Sequence, residues 1–536
     1  MRYGLPPFAD VRPGHFQPAF DKAMQHHMEE LSAIVESREE PTFDNAIAEF
    51  DRCGGLLGRT SMLFDNLCSS CAPPELQEVQ LEIAPVLAAH DNKIYTFPGL
   101  FEKIAAVHAR RAEACTSLEQ RRLTERIYLD FVRAGAELDA GAQSRYAEIT
   151  ERLSVLMTQF MQNVMADESE VSVEVSEADL EGCPSFLVAA ARAAATERGM
   201  AEGTHIITLS RSLAEPFISS SPRRDLREKV WRLWTSRGEL DEGRDNSVIA
   251  KEILSLRAEA ATLHGHATFA HYQTADTMAQ TPDAVMGLLQ QTWAPACKAA
   301  LAERAQLRDY LAEELGEADV EVQPWDWRYC AEKVRTVKYA FDENELKPYL
   351  SLPVMQKALF STVEKLYGLR FVRVDDAPPL YHPDVELYEV REPTGDGDEK
   401  LLALFLHDNY ARPNKQSGAW MSEFRIQTRN WNELRFGEGT AAGADVTITS
   451  APGAGEQIPI VINNNNFAKG AEGEPALLSF DDALTLFHEM GHGLHGILSD
   501  VTYCRRSSPR SMIPLLVSPR ATSLDLTARL TARYFP

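Results

Sequence analysis

The segment Ser479–Asp500 reads Ser-Phe-Asp-Asp-Ala-Leu-Thr-Leu-Phe-His-Glu-Met-Gly-His-Gly-Leu-His-Gly-Ile-Leu-Ser-Asp. Its periodicity predicts a helix. Phe487, Met490, Leu494 and Ile497 recur at helical spacing and form one apolar stripe. Ser479 with Asp482 three residues on has the form of a capping box. Asp481 and Asp482 put negative charge in the first turn, where the helix dipole favours it. Gly491, Gly493 and Gly496 each lower helix propensity by up to roughly 1 kcal/mol relative to alanine. Their presence implies close approach of neighbouring backbone.

Inside this helix stands His-Glu-x-x-His, at His488, Glu489 and His492. One turn apart, the two imidazoles share a face and can converge on a single zinc ion at about 2.0–2.1 Å. Glu489 is then placed as general base toward a water activated at that ion. The plain alternative is a chance pattern on an ordinary amphipathic helix. The cap, the stripe and the small residues around the motif count against it. His495 shares the histidine face, but seven residues of helix span about 10.5 Å. Two nitrogens on one zinc lie at most about 4 Å apart. His495 is therefore read as a packing or supporting group, not a ligand. The longer metzincin pattern fails as well, since it wants Gly where His495 stands and His where Leu498 stands.

Around this helix the chain has 536 residues, 44% hydrophobic and 25% charged, the profile of a soluble globular protein with large cores. A net charge of -25 argues against nucleic acid or an anionic membrane as partner. No run of about 18 apolar residues predicts a membrane span, and the start, Met-Arg-Tyr-Gly-Leu-Pro-Pro-Phe, has no signal-peptide pattern. The eight scattered cysteines suit a reducing cytoplasm. Cys68 and Cys71 form one Cys-x-x-Cys. It has no second pair for a zinc knuckle and no preceding strand for a redox motif.

Residues 1–220 read as an N-terminal helical domain. Helical spacing is nearly continuous from Pro13 to about Glu168, first through Phe16, Phe20, Met24, Met28 and Leu31, then at about 43–69, 75–110, 117–136 and 141–166. Val171–Val175 and His205–Leu209 read as short strands. Helices follow at about 223–236, 246–263, 282–315 and 325–339. After Leu366 the texture changes. Leu369–Val374, Val385–Val390 and Leu401–Leu406 read as strands. Residues 437–456 are rich in Gly and Ala and read as a mobile loop. Ile458–Ile462 reads as an apolar strand. It is either a core strand or an edge to which an extended peptide adds.

The chain resembles the thimet oligopeptidase family of zinc metallopeptidases, in its bacterial peptidyl-dipeptidase and oligopeptidase A branch. The resemblance rests on Trp325-Asp-Trp-Arg-Tyr329, Asp342-Glu-Asn-Glu-Leu-Lys-Pro-Tyr349, Asn409-Tyr-Ala-Arg412, Gly418-Ala-Trp-Met421, Pro459–Phe467 and Leu478–Tyr503. Leu5-Pro-Pro-Phe8 and His15-Phe-Gln-Pro18 also resemble family starts. It implies a mainly α fold, a two-lobed helical ellipsoid around a deep channel, with a small β-sheet near the metal helix. It implies one Zn2+ per chain, held by His488 and His492, with Glu489 as the catalytic residue. The implied substrates are short oligopeptides, the implied partners include neither nucleic acid nor membrane, and a cytoplasmic monomer is expected. Residues 221–503 would form the catalytic part.

The family pattern departs at the end. There a later helix supplies a glutamate as third zinc ligand, and further segments supply a tyrosine and a histidine. Here no glutamate follows Glu489, and the charges after Tyr503 are six arginines against Asp525 alone. Residues 504–536 are thus read as an atypical basic tail that follows truncation or a change of reading frame, the alternative being a genuinely divergent terminus. On the first reading Met490, Leu494 and Ile497 are expected to lose part of their cover, zinc to be held weakly for want of a third ligand, and activity to be little or none. Two readings follow: a zinc peptidase cleaving internally or releasing C-terminal dipeptides, or an impaired relative that binds peptides without turnover.

Overall fold

The computed structural model describes residues 2–339, 343–395, 397–436, 448–470 and 473–503. The atypical tail, part of Asp342–Tyr349 and most of the Gly- and Ala-rich stretch lie outside these residues. The described chain is mainly α. Its helices of ten residues or more are α1 Phe16–Glu36, α2 Gly55–Ser70, α3 Pro74–Tyr95, α4 Leu100–Ala109, α5 Leu118–Arg133, α6 Ala140–Glu170, α7 Ser185–Glu197, α8 Arg211–Ser220, α9 Arg224–Thr235, α10 Asn246–Leu263, α11 Pro282–Leu315, α12 Pro324–Tyr339, α13 Leu352–Tyr367 and α14 Phe480–Ile497.

Two of the expected long helices are broken. Gly54, at φ +71°, separates Phe43–Arg52 from α2, and Gly99, at φ +82°, starts α4 after the end of α3. Left-handed backbone is open to glycine and ends a right-handed helix. Helices α7, α8 and α13 fall where no helix was read.

The strands are β1 Ser172–Val175, β2 His205–Thr208, β3 Arg370–Arg373, β4 Val385–Pro393, β5 Glu399–Tyr410, β6 Trp420–Arg425, β7 Asn432–Phe436, β8 Ile448–Pro452 and β9 Ile460–Phe467. β1 pairs with β2, and β7 with β8. The described edges of the Gly- and Ala-rich stretch thus include a strand, β8, in place of loop. The other five strands form one mixed sheet in the order β3-β4-β5-β9-β6. β9 runs parallel to β5 and antiparallel to β6.

This order decides the role of the Ile458–Ile462 region. β9 has a neighbour on each side, so it is a core strand and takes no added peptide. The edge strand on the β9 side of the sheet is β6, and β3 is the edge on the other. The strand also runs on past Ile462: Asn463 and Asn464 pair on both sides, and Phe467 pairs again with Tyr410 of β5.

Helices cover both faces of the sheet, which is why its central strands are apolar on both sides. One face packs Phe405, Val461 and Phe467 against Leu359 and Val363 of α13 and against Leu486, Met490, Leu494 and Ile497 of α14. The other packs Leu404, Leu406 and Ile462 against Phe16, Phe20, Phe64 and Leu67 near the N-terminus. The stripe expected to lose cover is fully covered: Met490 and Ile497 are 0% exposed and Leu494 is 2% exposed. Its partner is the sheet.

Candidate metal centre and cleft

The capping box of α14 forms as read. Ser479 Oγ accepts from Asp482 N at 3.0 Å, and Asp482 Oδ2 accepts from Ser479 N at 3.1 Å. The face of α14 toward the sheet is set by its glycines. A Cβ on Gly493 would lie 3.1 Å from Asn463 Oδ1, and one on Gly496 would lie 2.7 Å from Glu423 Oε1. The close neighbours are therefore side chains of β6 and β9, not backbone. The side of α14 away from the buried stripe Met490, Leu494 and Ile497 carries His488 and His492, both exposed.

The two Nε2 atoms stand 3.2 Å apart, with the rings at 80° to one another. Two nitrogens bound at about 2.0–2.1 Å to a tetrahedral ion stand about 3.3–3.4 Å apart. The separation of the pair as folded is thus close to that of two nitrogens on one zinc ion. Burial, then the neighbouring His488, holds His492 below the usual imidazole range, which favours the neutral, ligating form. Glu489, between them in sequence, is 6% exposed, and burial pushes its carboxyl up to about 7. A bound dication would oppose that rise. His495 is half-buried, and its Nε2 has no hydrogen-bond partner among the described residues. Among those residues no group of three or more His, Cys, Asp or Glu closes a complete metal site.

A cleft of about 470 Å³ opens along the N-terminal half of α14, within the size range of small-ligand pockets. Its walls include Arg211, Trp327, Lys347, Gly418, Ala419 and Thr485. Gly418 and Ala419 lead directly into β6. Asn66 Nδ2 donates to Glu423 O at 3.0 Å, and no strand pairs with the outer side of β6 among the described residues.

Residues Asp408, Lys415, Glu423 and Asn463 were not singled out from sequence. Asp408 is 0% exposed between Arg412 and Lys415. Glu423, pushed up to about 8 by burial, lies under α14. The available signal was their place in or beside the segments Asn409–Arg412, Gly418–Met421 and Pro459–Phe467.

The model of peptidase family M3 matches residues 217–513. This chain belongs to peptidase family M3. Dipeptidyl carboxypeptidase of Escherichia coli (strain K12) is 32% identical over 518 residues, covering 96% of this chain and 71% of that protein. Oligopeptidase A of the same organism is 31% identical over 505 residues, covering 93% of this chain and 70% of that protein. Oligopeptidase A of Haemophilus influenzae is 28% identical over 504 residues, covering 93% and 69%. The family resemblance read from the motifs is thus borne out. In this M3 peptidase no described helix is long and apolar enough to cross a membrane.

Proposed function

We propose that this M3 peptidase is a zinc enzyme that hydrolyses short oligopeptides, by internal cleavage or by release of C-terminal dipeptides, in the cytoplasm. The names of its relatives favour turnover over binding alone. The observation that carries the metal reading is the 3.2 Å separation of the His488 and His492 nitrogens on one exposed helix face. Residues 221–503 form the catalytic part on this reading.

The residues divide the work as follows. His488 and His492 hold the ion. When bound, zinc supplies Lewis acidity toward the peptide carbonyl and toward water. Glu489 removes the proton from the attacking water and delivers it to the leaving amine. Its burial suits a carboxyl that must exchange a proton near neutral pH. The peptide lies in the cleft as an added strand on the outer side of β6, with Gly418 and Ala419 at its start. The test is zinc content after dialysis together with hydrolysis of a quenched peptide. Peptide binding without hydrolysis by the zinc-loaded chain would instead support the binding-only relative.

A further inference from the structure

The loop between β5 and β6, residues 411–419, ends in the cleft wall. It is held by charge. Asp408 accepts from Arg412 Nη1 at 2.8 Å, Arg412 Nη2 at 2.6 Å, Lys415 Nζ at 2.8 Å and the Tyr381 hydroxyl at 2.5 Å. Both cations also reach carbonyls of the surrounding chain. Arg412 donates to Ser70 O at 2.9 and 2.6 Å. Lys415 donates to Asn465 O at 2.6 Å and Tyr410 O at 3.0 Å. Further along, Asn466 Nδ2 donates to Gln416 O at 2.8 Å and to Gly418 O at 2.6 Å. The loop backbone is also tied to the end of α2: Gln416 N donates to Ser69 O at 2.8 Å, and Ala72 N donates to Asn414 O at 3.0 Å.

Two cations and one anion in a buried cluster are a poor device for stability alone. Desolvation offsets most of the attraction, and apolar packing of equal volume commonly does as well. Burial does push Lys415 down, to about 8, against the pull of Asp408. What the cluster supplies is a fixed position. Each donor ends on a carbonyl of a different segment, from α2, β5 and β9, and these segments converge on the loop that starts β6.

We propose that Asp408, Lys415 and Asn466 are positioning residues: they set Gly418 and Ala419 so that the outer edge of β6 pairs with the backbone of the bound peptide. The inference rests on the peptidase reading above and adds the residues that place the binding edge. Asn466 bears on it most directly, since its removal leaves the charged cluster intact and frees Gly418 O.

The experiment uses the full zinc-loaded chain carrying Glu489→Gln, so that peptide stays intact. A fluorescein-labelled alanine-rich hexapeptide is titrated by anisotropy. Versions with one backbone NH replaced by an ester oxygen are titrated beside it. In this parent chain, one or two ester positions should weaken binding about 5–10-fold. Adding Asn466→Ala should weaken the all-amide peptide by a similar factor and make those ester positions neutral. In the otherwise unmodified enzyme, Asn466→Ala should raise KM by more than it lowers kcat. Asp408→Asn should act the same way where it folds, as judged by its thermal midpoint. The proposal is overturned if Asn466→Ala binds like the parent, or if the ester penalty persists undiminished in it. If the Glu489→Gln chain binds no peptide and the otherwise unmodified enzyme cleaves none, the peptidase reading itself fails and this inference falls with it.

Discussion

Gly496→Ala tests how α14 sits on the sheet. An alanine Cβ at this position would lie 2.7 Å from Glu423 Oε1, 3.0 Å from Met421 Cε and 3.1 Å from Val461 Cγ2. The first two are ends of flexible side chains, but Val461 is 0% exposed and paired on both sides, so it cannot retreat. Helix propensity favours the change by about 0.8–1.0 kcal/mol. Overpacking of a well-filled core opposes it by about 1–3 kcal/mol. The net expectation is a loss of about 1 kcal/mol in local stability, roughly a fivefold change in an opening equilibrium. Gly287→Ala, in α11, is the matched control, because nothing lies within 4 Å of its Cβ position. There propensity acts alone and stabilises. Hydrogen exchange read by mass spectrometry on peptides from α14 and α11 measures both. Exchange in α14 should speed up in Gly496→Ala, and exchange in α11 should slow in Gly287→Ala. Slower exchange in both variants would refute the claim that α14 rests on β6 and β9 at van der Waals distance.

Glu489→Gln should lower peptide hydrolysis by roughly 10²–10⁴-fold while zinc stays bound, because the carboxylate is assigned as base and not as ligand; loss of zinc with the substitution would reverse that assignment. His488→Ala and His492→Ala should each strip the chain of zinc on dialysis, whereas His495→Ala should retain it; equal loss from all three makes His495 a ligand. Glu423→Gln should change how stability depends on pH. Burial raises the folded carboxyl to about 8, against roughly 4.3 unfolded, so the folded state holds the extra proton between those values and stability falls as pH rises through that window. Thermal midpoints of the two chains should therefore meet at low pH and separate toward pH 8, with the glutamine variant higher; parallel curves would show that Glu423 titrates normally.

Helix α14 was legible because local signals agree there: cap, dipole charge, apolar stripe and motif all point to one helix. The strands of the sheet were legible in their apolar cores and illegible at their ends. Asn463–Asn466 has the composition of a turn, yet pairing of Asn463 and Asn464 with both β5 and β6 carries the strand through it, and no local signal reports a partner strand 40 or more residues away. β6 was hidden for a related reason. Glu423 and Arg425 give it no clear apolar alternation, and its place at the sheet edge comes from β9. The breaks at Gly54 and Gly99 were visible only as glycines, one residue type among many uses. The Asp408 cluster draws on Ser70, Tyr381, Arg412, Lys415 and Asn465, which meet only once the fold exists. The pair of candidate zinc-binding histidines needed nothing beyond one turn of helix.

This difference in range explains how the candidate centre is supported. The stripe of α14 finds its full cover in α13 and the sheet, among residues before Tyr503. Exposed apolar side chains cluster elsewhere, among other places on α10 and α11, where Leu254, Leu288, Trp293 and Leu301 are each 65% exposed or more. The helix bearing the candidate ligands is therefore anchored from below by the same sheet that carries the proposed binding edge on β6. Gly493 and Gly496 let α14 approach β9 and β6 closely, so the height of His488 and His492 and the height of the β6 edge are set by one contact surface. On the proposed reading, a shift in that surface moves His488, His492 and the β6 edge together, so that a bound peptide stays in register with Glu489. On that reading, tight seating of the helix serves the chemistry as well as the fold, which accounts for Gly493 and Gly496 within α14 despite the low helix propensity of glycine.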